Sequence, residues 1–165
     1  MSVVVANIHI NIGSNENRSH NVAQAIDGLR LNFFDIECSD IFESVSAGFE
    51  GDDFYNVGVN ATTDLSVVDV ISVLHTIEDK QGRDRSQPKF SSRSVDLDLV
   101  LYDAVIDEMY NLPRDDILKY NFVLAPLAQL NPDGMHPIEQ KTYTQLSATM
   151  DALQSYNINI LEKEK

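Results

Sequence analysis

The sequence predicts an α+β fold with its elements in the order β-α-β-β-α-β. Three observations predict it. Segments 3–12, 54–61 and 95–102 alternate apolar with polar residues and favour β-branched ones, the pattern of half-buried strands. Segments 21–31 and 65–82 carry apolar residues at helical spacing. Short stretches of Gly, Asn, Ser and Pro lie between them, with no repeat, low-complexity run or linker.

Taken in order, the first strand ends at Gly13-Ser14-Asn15, a turn signal. In the helix over 21–31, Val22, Ala25, Ile26 and Leu29 form the apolar stripe. A β-rich segment follows, from about 33 to 45, and then a turn-forming stretch, 46–53, holding Gly48 and Gly51. With the strand over 54–61 this predicts a long hairpin. The helix over 65–82 is the clearest. Ser66 with Asp69 three residues on resembles a capping box, and Val67, Val70, Ile71, Leu74 and Ile77 make one apolar face. Gly82 stops it. Residues 83–94 are polar and irregular, a loop, and 95–102 (VDLDLVLY) is the last strand. A turn at Pro113, a short helix over about 121–130 and a turn at 131–134 come next. The tail from Lys141 has some helical character and no recognisable chemistry. Two helices on one face of a mostly antiparallel four-stranded sheet make a ferredoxin-like sandwich, here with a C-terminal extension. The 165 residues fit a single domain.

Composition narrows the function. Apolar residues make up 43% and charged residues 23%, the balance of a soluble globule. No apolar run is long enough to span a bilayer, and the N-terminus reads as a strand and not as a signal segment. Cys38 stands alone, so an internal disulfide and a cysteine-based zinc site are excluded. A cytoplasmic protein is predicted. The formal net charge of -14 speaks against nucleic acid as a partner. Yet of 12 Lys and Arg, five fall between positions 80 and 93: Lys80, Arg83, Arg85, Lys89 and Arg93. That clustering predicts an anion there.

The cluster runs into a strand whose period of two puts Asp96 and Asp98 on one face and Val95, Leu97 and Leu99 in the core. Two carboxylates about 7 Å apart on a strand can hold one or two hard cations. A solvated sheet face gives the same pattern, and each arginine could be an ordinary ion pair. Concentrated together on an acidic chain, they fit a magnesium–polyphosphate site better, with no GxxxxGK[ST] loop to supply a conventional one.

The run from Lys89 to Val100, KFSSRSVDLDLV, resembles the signature of the 6-hydroxymethyl-7,8-dihydropterin pyrophosphokinase family. So do Ile12-Gly13-Ser14-Asn15, Phe54-Tyr55-Asn56-Val57, Glu78-Asp79-Lys80-Gln81-Gly82-Arg83 and Phe122-Val123-Leu124-Ala125-Pro126-Leu127. The resemblance covers about residues 7–134 in the family's order. It implies transfer of pyrophosphate from ATP to the pterin hydroxymethyl group, releasing AMP, in folate biosynthesis. Asp96 and Asp98 would hold two Mg²⁺, and Arg83 and Arg93 would act in catalysis on the triphosphate. His75, Glu78, Arg85, Phe90, Leu99 and Arg114 would complete the ATP site. Phe54 and Phe122 would sandwich the pterin, Asn56 would read its edge, and Ser44 and Val45 would add main-chain hydrogen bonds. On residue chemistry alone, both phenylalanines could be core and His75 a plain helix-face histidine. The implied partners are small molecules, pterin and ATP, with association to another folate-pathway enzyme also open.

The chain departs from the family pattern in places. Ser91 replaces a small Gly or Ala, and Arg114 follows Pro113 where a His is typical. Met109 and Tyr120 stand where some members carry a basic residue toward ATP, and 46–53 lacks the family's prolines. These keep two other readings open: a non-catalytic pterin- or nucleotide-binding homologue, and a related transferase acting on another heteroaromatic alcohol.

Overall fold

The computed structural model describes residues 4–45, 53–82 and 95–163. The alternating N-terminal segment forms β1 (Ala6–Ser14), whose Ile8, Ile10 and Ile12 are buried on one face. Strand pairing continues through Ser14, two residues past the predicted stop. Gly13 has a partner on each side, Asn56 and Asp96, so the ladder outlasts the local turn signal. The turn falls at Asn17, in the left-handed region at φ 42°, and α1 (Arg18–Asn32) starts earlier than its apolar stripe suggested.

Next come β2 (Phe34–Cys38) and β3 (Ile41–Ser44), where one β-rich segment was expected. Both pair antiparallel with β4 (Phe54–Thr63), so the long hairpin is present. The break lies at Ser39, whose Oγ accepts the Gly58 N–H (2.8 Å) while its own N–H donates to the Gly58 carbonyl (2.9 Å). The side chain takes a ladder position there, and the strand is interrupted. Then α2 (Val67–Lys80) begins with Ser66 Oγ accepting the Asp69 N–H and buries Val70, Leu74 and Ile77. It ends at Gly82, whose φ of 83° suits a residue without a Cβ.

After β5 (Asp96–Tyr102) the chain makes a 3₁₀ turn (Glu108–Tyr110), a short α3 (Asp116–Lys119) and α4 (Asn121–Leu130), which lies where the sequence puts it. The tail adds α5 (Tyr143–Ser147), β6 (Gln154–Tyr156) and α6 (Ile160–Lys163). Among the described residues the sheet is antiparallel and has six strands, in the order β5-β1-β4-β3-β6 with β2 also on β4. The expected count of four is thus corrected. One predicted strand is split, and the tail contributes another by pairing with the exposed edge of β3.

The main core joins the isoleucines of β1, Val57, Val59 and Ala61 of β4, and Leu97 and Leu99 of β5 to α1 and α2. Helix α4 lies over the opposite face, so helices do not sit on one side alone. Its Pro126 packs against Gly58, where a Cβ would come within 2.7 Å of the proline ring and 2.9 Å of the His9 ring. A second, smaller core forms there from Val100, Ile117, Val123, Leu124, Leu127 and Tyr143. A cleft opens on this second face.

Candidate active site

Strand periodicity works as predicted on β5: Val95, Leu97 and Leu99 are buried, and Asp96 and Asp98 face the cleft half-exposed. The strand lies at the sheet edge, and two of its backbone groups bond beyond the sheet. Buried Glu78, near the end of α2, accepts the Leu97 N–H at 2.8 Å, and the Arg114 N–H donates to the Val100 carbonyl at 2.9 Å. Glu78 lines the cleft and also fixes the strand that carries both aspartates. Arg114, after the cis Leu112–Pro113 bond, lies between two carboxylates. Its Nε is 2.9 Å from Asp116 and its Nη2 3.6 Å from Asp98. Burial opposes its charge, but the fields of Asp98 and Asp116 outweigh that and raise its pKa further.

The cleft has a volume of about 1070 Å³. Asp96, Asp98, Arg114, His75 and Glu78 line one part of it, and Ser44, Val45, Phe54, Asn56 and Phe122 another. Asn56 is buried on β4, and its Nδ2 donates to the Phe42 carbonyl (3.0 Å) and to Ser44 Oγ (2.9 Å). With its donor side committed, its Oδ1 faces Gly13, whose missing side chain leaves that space open; a Cβ there would lie 3.6 Å from the oxygen. Phe122, on the first turn of α4, stacks on Tyr120 with centroids 4.9 Å apart and planes at 20°. Tyr120, in place of a basic residue, therefore supports an aromatic wall.

Of the predicted residues, Leu99 is in the main core and does not line the cleft. Arg83, Arg85, Lys89, Phe90 and Arg93 lie outside the described residues. Three groups of lining residues were not anticipated. Asn11 and Gly13 on β1 form the floor. Their signal was available, since a polar residue at every second position of a buried strand marks a polar face. Lys119 and Asn121 join Tyr120, already singled out, beside Phe122. Thr149 to Leu153 close one wall, with the Asp151 carbonyl accepting from Asn121 Nδ2 at 2.6 Å. That segment has no periodic pattern, so nothing in the sequence pointed to it.

Among the described residues, no three His, Cys, Asp or Glu side chains form a metal cage. The Asp96–Asp98 pair nonetheless suits magnesium, which is commonly held by one or two carboxylates together with substrate phosphates and waters. The cleft thus has the parts of a two-substrate transferase site, a carboxylate end for a metal-bound anion and an aromatic, amide-bearing end for a flat polar ring.

Comparison with known proteins agrees. The family model described as 7,8-dihydro-6-hydroxymethylpterin-pyrophosphokinase matches residues 9–132. The chain belongs to that family. It is 31% identical over 142 residues to the 2-amino-4-hydroxy-6-hydroxymethyldihydropteridine pyrophosphokinase of Aquifex aeolicus, covering 83% of this chain and 88% of that one. To the Haemophilus influenzae protein of the same name it is 30% identical over 139 residues, covering 80% and 86%. A folic acid synthesis protein of Schizosaccharomyces pombe is 28% identical over 138 residues, 82% of this chain but 18% of that longer one. Among solved structures, a Plasmodium falciparum HPPK-DHPS triple mutant superimposes with a TM-score of 0.66 at 12% identity, over 89% of this chain and 44% of that one. That match speaks to the fold.

Proposed function

We infer that this chain transfers the pyrophosphoryl group of ATP to the hydroxymethyl group of 6-hydroxymethyl-7,8-dihydropterin, releasing AMP, as a step of folate biosynthesis. The observation that carries the reading is one cleft bordered by both the Asp96–Asp98 pair and the Phe54–Asn56–Phe122 group, in a member of the pyrophosphokinase family.

The roles follow from chemistry. Asp96 and Asp98 would hold two Mg²⁺ with the triphosphate; bound there, magnesium neutralises phosphate charge and acidifies the substrate hydroxyl. Arg83 and Arg93 would neutralise the remaining phosphate charge, with His75, Arg85, Phe90 and Arg114 around the nucleotide. Glu78 acts by fixing β5 as well. Phe54 and Phe122 stack the pterin ring, while Ser44 and Val45 supply edge contacts. Asn56 offers the ring an acceptor, because its amide hydrogens are spent on Phe42 and Ser44. Holding hydroxyl and β-phosphorus together in a cleft that excludes water supplies most of the rate gain expected of a phosphoryl-type transfer.

The strand order supports a ferredoxin-like plan in which β2 and β3 stand for one strand and β6 is added. The reading takes the 165 residues as one pyrophosphokinase-like domain. It is cytoplasmic in this reading; no described helix is long and apolar enough to cross a membrane. Association with another folate-pathway enzyme is also proposed, since similar sequence lies within the longer folic acid synthesis protein.

The test is AMP release from ATP and Mg²⁺ with and without the hydroxymethyl pterin. Pterin-dependent AMP is the expected outcome. Tight pterin binding with no AMP would replace catalysis by the binding-protein reading.

A further inference from the structure

Asn11, Asn56 and Asn60 sit on the cleft face of the sheet, and their surroundings differ. Half-buried Asn60 is fully engaged. It meets His9 Nδ1 at 2.7 Å, and its Nδ2 donates to Asn131 at 2.9 Å and to Glu37 at 3.2 Å. Buried Asn56 is held by Phe42 and Ser44. Asn11 is 5% exposed, and its Oδ1 meets no donor among the described residues. A carboxamide oxygen left this way is costly unless something supplies a hydrogen, so its persistence in a buried position points to a ligand.

Register indicates which ligand group. Asn11 pairs with Asp98 on β5 and Gly58 on β4, and all three belong to the face on which the cleft opens. Two residues along β1, Gly13 lies between Asp96 and Asn56. A pterin seated by Phe54, Asn56 and Phe122 must send its reacting arm toward the aspartates. The donor on that arm is the hydroxyl, and Asn11 is the neutral acceptor beside Asp98.

Resting on the pyrophosphokinase reading, we propose that Asn11 is a substrate-positioning residue whose carboxamide oxygen accepts a hydrogen bond from the pterin hydroxymethyl group. The contact fixes the hydroxyl's rotation. It leaves an oxygen lone pair for the phosphorus, and discriminates against ring systems that lack the hydroxyl.

The test uses the full chain with Mg²⁺ and a non-hydrolysable ATP analogue. Calorimetry compares 6-hydroxymethyl-7,8-dihydropterin with its 6-methyl counterpart. Wild type should prefer the hydroxymethyl compound by about five- to tenfold, the usual value of one net hydrogen bond. In Asn11→Ala and Asn11→Leu the preference should vanish while affinity for the methyl compound holds. The leucine variant keeps the forked four-atom shape and leaves no cavity, so the readout survives if the alanine cavity lowers the melting temperature. A preference retained in both variants overturns the proposal and leaves the pyrophosphokinase reading intact. Loss of nucleotide affinity with the pterin preference unchanged overturns it too, by assigning Asn11 to the phosphate end. Failure of wild type to bind either pterin overturns both.

Discussion

The two faces of the sheet are built on opposite principles. On the face toward α1 and α2, Ile8, Ile10, Ile12, Val57, Val59 and Ala61 form a continuous apolar surface, and the helices bury it with aliphatic side chains. On the face toward α4, the same strands present His9, Asn11, Asn56, Asn60, Asp96 and Asp98. Apolar packing there is confined to a smaller cluster. One face supplies most of the hydrophobic stabilisation. The other pays for burying polar groups and gains a cleft. Because the two faces share every strand, the rigid one fixes the spacing of functional groups on the other.

The largest expected effect separates the faces by function. Asp98→Ala should lower pterin-dependent AMP release by about 10³-fold or more, as loss of an electrostatic anchor does, with an unchanged circular dichroism spectrum. Normal turnover would show that the metal site is elsewhere. Ile10→Ala, directed at the opposite face, should cost about 2–5 kcal/mol in urea unfolding. Its kcat should stay within a few-fold while the protein is folded. A large fall in kcat would mean that the faces are not separable.

Gly58→Ala probes where α4 meets the sheet. The added methyl would come within 2.7 Å of Pro126 and 2.9 Å of the His9 ring, both rigid groups. About 1–3 kcal/mol of stability should be lost. A stability equal to wild type would show that α4 can move off the sheet freely.

The smallest effect concerns His9, where burial lowers the pKa from 6.5 to about 4, against a smaller opposing influence of its hydrogen bond to Asn60. The folded pKa lies below the unfolded one, so this contribution is full above pH 6.5 and is lost as pH falls toward 4. Between pH 7 and 5.5 the loss is about 1 kcal/mol. His9→Gln should therefore lose less stability than wild type over that interval. Equal slopes would mean that the ring is charged or exposed in the folded protein.

The strand period of β5, the stripe of α2 and the span of α4 were legible because each is local: a spacing of two or of 3.6 residues with a cap or stop. The aspartates, Phe54, Asn56 and Phe122 were legible through short runs resembling one family, and the structure brings the five around one cleft. Leu99 lies in the main core, as its alternation predicts. The split between β2 and β3 was not legible, because it depends on Ser39 bonding to a glycine 19 residues away.

By itself the sequence determined which residues face the main core and where charge gathers. Periodicity and composition act over a few residues and need no partner. Only the tertiary structure decided that the tail would add β6 to the sheet and line the cleft with Thr149 to Leu153. It also decided that Arg114 would lie between Asp98 and Asp116 and that Asn11 would be buried with an acceptor that meets no donor among the described residues. Each depends on groups distant in the chain meeting across the sheet, and a polar group's state is set by the partners it meets there.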